Sequence, residues 1–307
     1  MSEDPNVTLV TTVLAAASSY DLTDLATAKD ELQLTDCKND AWLGRVISQI
    51  SRAIKNHTNR VFAPEFIQDL FDVRRRRMQV PIGVRVLELS RWPVLAVTLV
   101  SVNQVGEGTT LVLVENTDFR VDYLTGQVYR LDASGEGIIT AWEALPITVQ
   151  YSAGYGAVQR ETQSVPATPG PYTVTVSQDA NFSCDQQVSY ASSGVVLTPL
   201  ASGTPAAGQY VANNKTGGYT FAAADQGLSL NFVYCTELVP DDLMDVTLQL
   251  ITTRWKARGR DPALIQRDTP GVGTERFWFG GTPGQYGPFP PDIQALLDDN
   301  YKVPSVG

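Results

Sequence analysis

Histidine is almost missing from this chain: its 307 residues hold one, His57, alongside three cysteines and three methionines. A single imidazole leaves a Ser-His-Asp or Cys-His system one candidate base. His57 ends an apolar helical pattern, which is the setting of a structural or surface residue. Cys37, Cys184 and Cys235 are too few and too scattered for a disulfide scaffold or a zinc site. They read as buried thiols, with Cys184 and Cys235 able to meet in space. No apolar run approaches the roughly 18 residues of a membrane helix. The stretch VTLVTTVLAAAS, Val7 to Ser18, follows Glu3 and Asp4 and lacks the positive leader of a secretory segment. The four Asn-x-Ser/Thr triplets, at Asn6, Asn56, Asn181 and Asn214, then read as chance. The glycine-containing pieces GEGTT, SGEG and GVGTER lack the Lys-Ser/Thr of a phosphate loop. No catalytic, cofactor or metal residue is assigned, and an enzyme is not expected.

Positive charge is also scarce. Lys and Arg total 23 against 33 Asp and Glu, for a net charge of −10 and a pI near 4.6. That balance opposes tight general binding of DNA, which needs clustered cations. An acidic wall instead lets DNA slide past by like-charge repulsion. The exception is FDVRRRRMQVPIG, with Arg74, Arg75, Arg76 and Arg77 in succession. On a strand these alternate between faces, so the strand cannot lie in a two-sided core. They are candidates for a subunit contact, a solvated edge or a DNA-channel lining.

What is present is a run of recognisable elements. A 43% hydrophobic composition supports real cores, and the length suggests about two folded units. YDLTDLATAKDELQL gives a short helix with Thr23 as N-cap and Leu25, Ala28 and Leu32 on one face. AWLGRVISQISRAIKNHTNR follows, with Leu43, Val46, Ile47, Ile50 and Ile54 as one stripe of a helix of roughly 17 residues. From about residue 66 to 155 the period is two. RVLELS, VTLVSVN, TTLVLV, DFRVDY, GQVYRL and ITVQYSAGY read as short antiparallel strands, with a turn at Thr125–Gly126. QRETQSVPATPGPY reads as a linker. Beyond it a second set of strands, TVTVSQ to SLNFVYC, is nearly free of Lys and Arg and forms a separate β module. Helix resumes at VPDDLMDVTLQLITTRWKARGRDP, with Pro240 at N1, Asp241 and Asp242 at the positive end, and Leu243, Val246 and Leu250 as a stripe. The Gly/Pro-rich tail ends in a short helical turn carrying Ile293, Leu296 and Leu297 on one face, then Tyr301.

The expected fold is α+β. A small helical bundle with an antiparallel β block occupies residues 1–156 and 237–285. An inserted all-β module, Ig-like or a small barrel, spans 157–236, and an extended tail spans 286–307. The order of NHTNRVF, RVLELSRWPVLAVTLVSVN, DFRVDYLTGQVYRL, ITVQYSAGYG, VPDDL and PPDIQALLDDNY resembles the head–tail connector (adaptor) proteins of long-tailed bacteriophages and gene transfer agents. The resemblance covers residues 20–156 and 237–303 and departs from the family pattern over 157–236. It implies a structural virion protein at the capsid vertex, assembled in the host cytoplasm. That protein would form a dodecameric ring with itself beneath the portal protein, meet the next tail-side connector or tail terminator, and pass double-stranded DNA without sequence-specific binding. It further implies that the C-terminal segment reaches the portal, here through Ile293, Leu296, Leu297 and Tyr301. The other reading, from the Tyr-rich insertion, is a tail-tip protein binding a carbohydrate or host receptor.

Overall fold

The computed structural model describes residues 7–73, 84–104, 109–132, 137–142, 145–167, 170, 172–258, 266–269, 273–276 and 289–302. The fold is α+β, with antiparallel sheets and four helices among the described residues. The chain divides into two compact units: residues 1–19 with 63–238, and residues 20–62 with 239–307. The expected boundaries at 156/157 and 236/237 fall inside the first unit. Arg74 to Arg77 lie outside the described residues.

The first unit is all β. Its opening block holds β1 (Val7–Ala15), β2 (Glu65–Val73), β3 (Val86–Glu88), β4 (Val94–Gln104), β5 (Thr109–Leu113), β6 (Phe119–Asp122), β7 (Gln127–Leu131), β8 (Ile139–Thr140) and β9 (Pro146–Ala153). One sheet runs β1-β2-β9-β4-β5; the second runs β3-β7-β6, with β8 on β7. Alternation sets the inner face, because successive side chains point to opposite sides of a strand. Ile67 and Phe71 of β2, Ile147, Val149 and Tyr151 of β9, and Val100 and Val102 of β4 are buried on one face of the first sheet. They join Leu87, Phe119, Val121 and Val128 of the second sheet in one core with Trp142. The Thr125–Gly126 turn is as expected: Gly126 has φ +72° and donates its N–H to the Asp122 carbonyl.

The rest of this unit is built from β10 (Gly156–Ser164), β11 (Thr173–Thr175), β12 (Phe182–Tyr190), β13 (Thr198–Leu200), β14 (Gln209–Asn213), β15 (Gly218–Phe221) and β16 (Ser229–Glu237). Two sheets, β10-β16-β12 and β11-β15-β14-β13, enclose Phe182, Val188, Tyr210, Tyr219, Phe221, Phe232 and Tyr234. These sheets stay separate, so the module is a two-sheet pack and not a closed barrel. Residues 159–164, read from sequence as the start of a linker, belong to β10, a strand paired along its whole length with β16. Six of its nine residues are polar and none is buried, so no period-2 apolar signal marks it.

The second unit contains α1 (Leu25–Glu31), α2 (Asp40–Thr58), α3 (Asp241–Lys256), the hairpin β17 (Gln266–Thr269) and β18 (Gly273–Arg276), and α4 (Pro291–Asn300). The α2 stripe Leu43, Val46, Ile47, Ile50 and Ile54 is buried as expected, with Leu243, Val246 and Leu250 of α3. The cap of α1 is Asp24, whose carboxylate accepts from the Thr27 N–H at 2.8 Å; Thr23, the expected cap, is buried one position earlier.

Candidate functional site

In each unit the segments that carry the sequence resemblance bond to one another. In the β block, LSRWPV and YSAGYG converge on Asp69, which is fully buried in β2. The Ser90 N–H and hydroxyl donate to the two Asp69 oxygens at 2.8 and 2.9 Å, and the Tyr151 hydroxyl donates to Asp69 Oδ2 at 2.8 Å. The Arg91 N–H donates to the Tyr151 hydroxyl at 3.2 Å. Burial, then the Asp69 charge, pushes the Tyr151 hydroxyl far above its ordinary value, so it remains a donor. The Trp92–Pro93 peptide is cis, and the Pro93 carbonyl accepts from the Gly154 N–H at 2.9 Å. The glycines of YSAGYG are steric necessities. A Cβ on Gly154 would lie 2.7 Å from Pro64 Cα, and one on Gly156 would lie 1.9 Å from the Thr236 carbonyl oxygen.

In the helical unit, NHTNRVF, VPDDL and PPDIQALLDDNY converge likewise. The Tyr301 hydroxyl donates to Asp242 Oδ1 at 2.6 Å, and its ring meets Phe62 edge-on. His57 Nε2 lies 2.8 Å from Asp298 Oδ1, and Lys302 Nζ sits at the same distance from that oxygen. Lys302 first, and then the His57 interaction, hold the Asp298 carboxyl below the usual carboxylate range.

These contacts bear on the portal-docking residues. Ile293, Leu297 and Tyr301 are buried inside their own helical unit, and Leu296 is half-buried. Three of the four residues assigned to portal docking are therefore already covered within their own unit. An amphipathic pattern announces that a face needs cover but does not say which surface supplies it.

The module has its own buried carboxylate. Asp185 accepts from the Tyr210 and Tyr219 hydroxyls at 2.6 and 3.0 Å. Burial raises its pKa to about 6, partly offset by those bonds. Tyr210, Tyr219 and Tyr234 are interior, so they offer no stacking surface to a sugar. Cys184 and Cys235 face each other across β12 and β16 as buried free thiols. The hydrogen bond to Cys235, with burial, raises the Cys184 thiol pKa.

Two features escaped the sequence reading. One is a cationic face on α2 and α3. Arg45, Arg52, Arg254, Lys256 and Arg258 are exposed, and none forms an ion pair among the described residues. The Arg258 guanidinium lies 4.6 Å from the Trp42 ring and 4.7 Å from the Trp255 ring, and Arg254 donates to Gln49 at 3.0 Å. Gly44, Arg45, Ser48, Gln49 and Arg52 line an open depression of about 470 Å³. The available signal was the acid-free run from residue 41 to 64. The second feature is β1, whose residues 8–14 are all exposed. Among the described residues there is no group of His, Cys, Asp and Glu able to hold a metal, and no helix long and apolar enough to cross a membrane.

No protein-family model matches the chain, and no curated protein matches it. Two solved structures are similar over nearly the whole length at 13% identity. One is the neck of an empty gene transfer agent particle computed with C6 symmetry, with TM-score 0.40; the other is the virion of a native gene transfer agent particle, with TM-score 0.38. In both the match covers 98% of this chain and 97% of the other.

Proposed function

We propose that the protein is a structural component of the neck of a tailed phage or gene transfer agent particle. In this reading it is a ring-forming adaptor that joins portal to tail and extends the DNA conduit. The observation that supports it is the mutual bonding of the resemblance motifs. Ser90 and Tyr151 meet on Asp69, and Tyr301 meets Asp242. The motifs therefore act as parts of one architecture and not as separate coincidences. The face with Arg45, Arg52, Arg254, Lys256 and Arg258 suits a weak, sequence-independent contact with a phosphate backbone, because each phosphate neutralised releases counterions. The net charge of −10 keeps such contact from becoming tight.

The docking assignment narrows to the side of α4 marked by Leu296, since Ile293, Leu297 and Tyr301 already have partners at home. Leu296→Ser should weaken attachment to portal and leave the melting temperature near wild type. Leu297→Ala should lower stability by about 2–4 kcal/mol through the cavity it leaves. The whole reading is tested by mixing the purified chain with portal rings and imaging by negative stain. A coaxial ring stacked on the portal supports it; a chain that leaves the portal bare overturns it.

A further inference from the structure

Edge strands are hazards that proteins blunt with short length, charge, proline, bulges or cover. Nearly every outer strand of the β unit follows that rule. β3, β11 and β13 have three residues each, and β13 contains Pro199. β6 carries Arg120 and Asp122, and β10 carries Arg160 and Glu161. β12 is fastened to the block through the Ser183 hydroxyl, which donates to the Pro64 carbonyl at 2.9 Å.

The two edges of the five-stranded sheet break the rule together. β1, VTLVTTVLA, has nine residues and no charge or proline; β5, TTLVL, has five and none. The only irregularity in β1 lies at its end, between Val13 and Ala15, and Val7 to Val13 run in unbroken register on β2. Aliphatic side chains stand among threonines on both faces beside both edges. Leu9 and Val13 pair with Phe71 and Ile67 and so continue the core-side row past its last covered strand, while Val10, paired with Leu70, lies on the reverse face. At the other end Leu111 is on the core side and Val112 on the reverse. Val10 is 53% exposed and Val112 57%. A strand that orders nine residues and buries neither face among the described residues lacks its cover.

We propose that the cover is a second copy of this chain: β1 of one copy pairs along β5 of the next, joining the five-stranded sheets edge to edge. One sheet supplies both halves, each edge uncharged and each carrying exposed aliphatic side chains among threonines. The contact is heterologous, because the two edges differ, and a heterologous contact that closes makes a ring. Strand addition alone is small beside a standard interface of about 1,600 Å², so it sets register while other surfaces add area. This rests on the ring reading above and names the surface that builds the ring.

The test uses the full chain with Val10→Lys or Val112→Lys, each at an exposed position, and Val10→Thr as the uncharged control. Assembly is read by native mass spectrometry of the chain alone and with purified portal, and folding by melting temperature. Wild type and Val10→Thr should form closed rings in at least one condition. Each lysine variant should melt as wild type and stay monomeric. An equimolar mixture of the two should give one-to-one pairs, since each variant retains the edge the other lacks. Rings from either lysine variant would overturn the edge pairing and leave the ring reading standing. Dimers from Val112→Lys alone would mean that β1 pairs with itself, which also overturns it. A wild-type chain monomeric in both conditions sinks the ring reading and the edge pairing with it.

Discussion

The β block and the β module solve one problem alike and another differently. Each encloses a buried aspartate held by tyrosine: Asp69 by Tyr151 in the block, Asp185 by Tyr210 and Tyr219 in the module. A buried carboxylate is costly unless its lone pairs are used, and both sites use them with donors from distant segments. Their edges differ. The module ends in three-residue strands, a proline and a charged strand, whereas the five-stranded sheet of the block ends in two uncharged strands rich in aliphatic residues and threonine. The module is therefore finished as a surface, and the block is unfinished. On the edge-pairing proposal, contact between copies falls to the block and not to the module.

Breaking the two aspartate sites should separate them. Asp69→Ala removes the acceptor for a backbone N–H and two hydroxyls in the block and should cost about 3–5 kcal/mol, read by denaturant unfolding. A loss below about 1 kcal/mol would mean that the network is incidental. At Asp185 the effect depends on pH. Its folded pKa of about 6 lies above its unfolded value of 3.8, so the protonated form is favoured in the fold. The stability it contributes is present below about pH 4 and lost as pH rises through 6. Asp185→Asn should gain on wild type between pH 4 and 7 by up to about 3 kcal/mol, at 1.36 kcal/mol per unit. A difference independent of pH would contradict this. The smallest thermodynamic effect is expected at the module's charged edge. Arg160 is exposed on β10, so Arg160→Val should change stability by less than about 0.5 kcal/mol but promote association, seen by light scattering. Unchanged solubility would show that β10 is guarded by something other than its charge.

Much of this architecture was legible in the residues. The α2 stripe, six of the block's nine strands and the Thr125–Gly126 turn follow from periodicity and turn chemistry. β10 was not, because a mostly polar strand with no buried residue carries no apolar alternation. β1 reads from sequence as an apolar leader-like stretch, because aliphatic residues and threonines without a regular alternation do not mark which face is inner. The fate of α4 was hidden for another reason. Its apolar residues Ile293 and Leu297 are buried within its own unit, where Tyr301 bonds Asp242 and Asp298 meets His57 across 59 and 241 positions of sequence. The cationic face was obscured by the Arg74–Arg77 run, which drew attention to consecutive charge instead of charge spaced along two helices.

The central claim is that copies join through unlike edges of one sheet. It is tested most directly by crosslinking Val10→Cys/Val112→Cys in a Cys37→Ser background with a short thiol-reactive crosslinker. The buried Cys184 and Cys235 are 0% exposed and should not react in the folded chain. The account predicts a ladder of covalent oligomers rising to a closed ring from the double-cysteine chain, and no crosslinked species from either single-cysteine chain. Dimers from Val10→Cys alone, or a double-cysteine chain that assembles but does not crosslink, would contradict it.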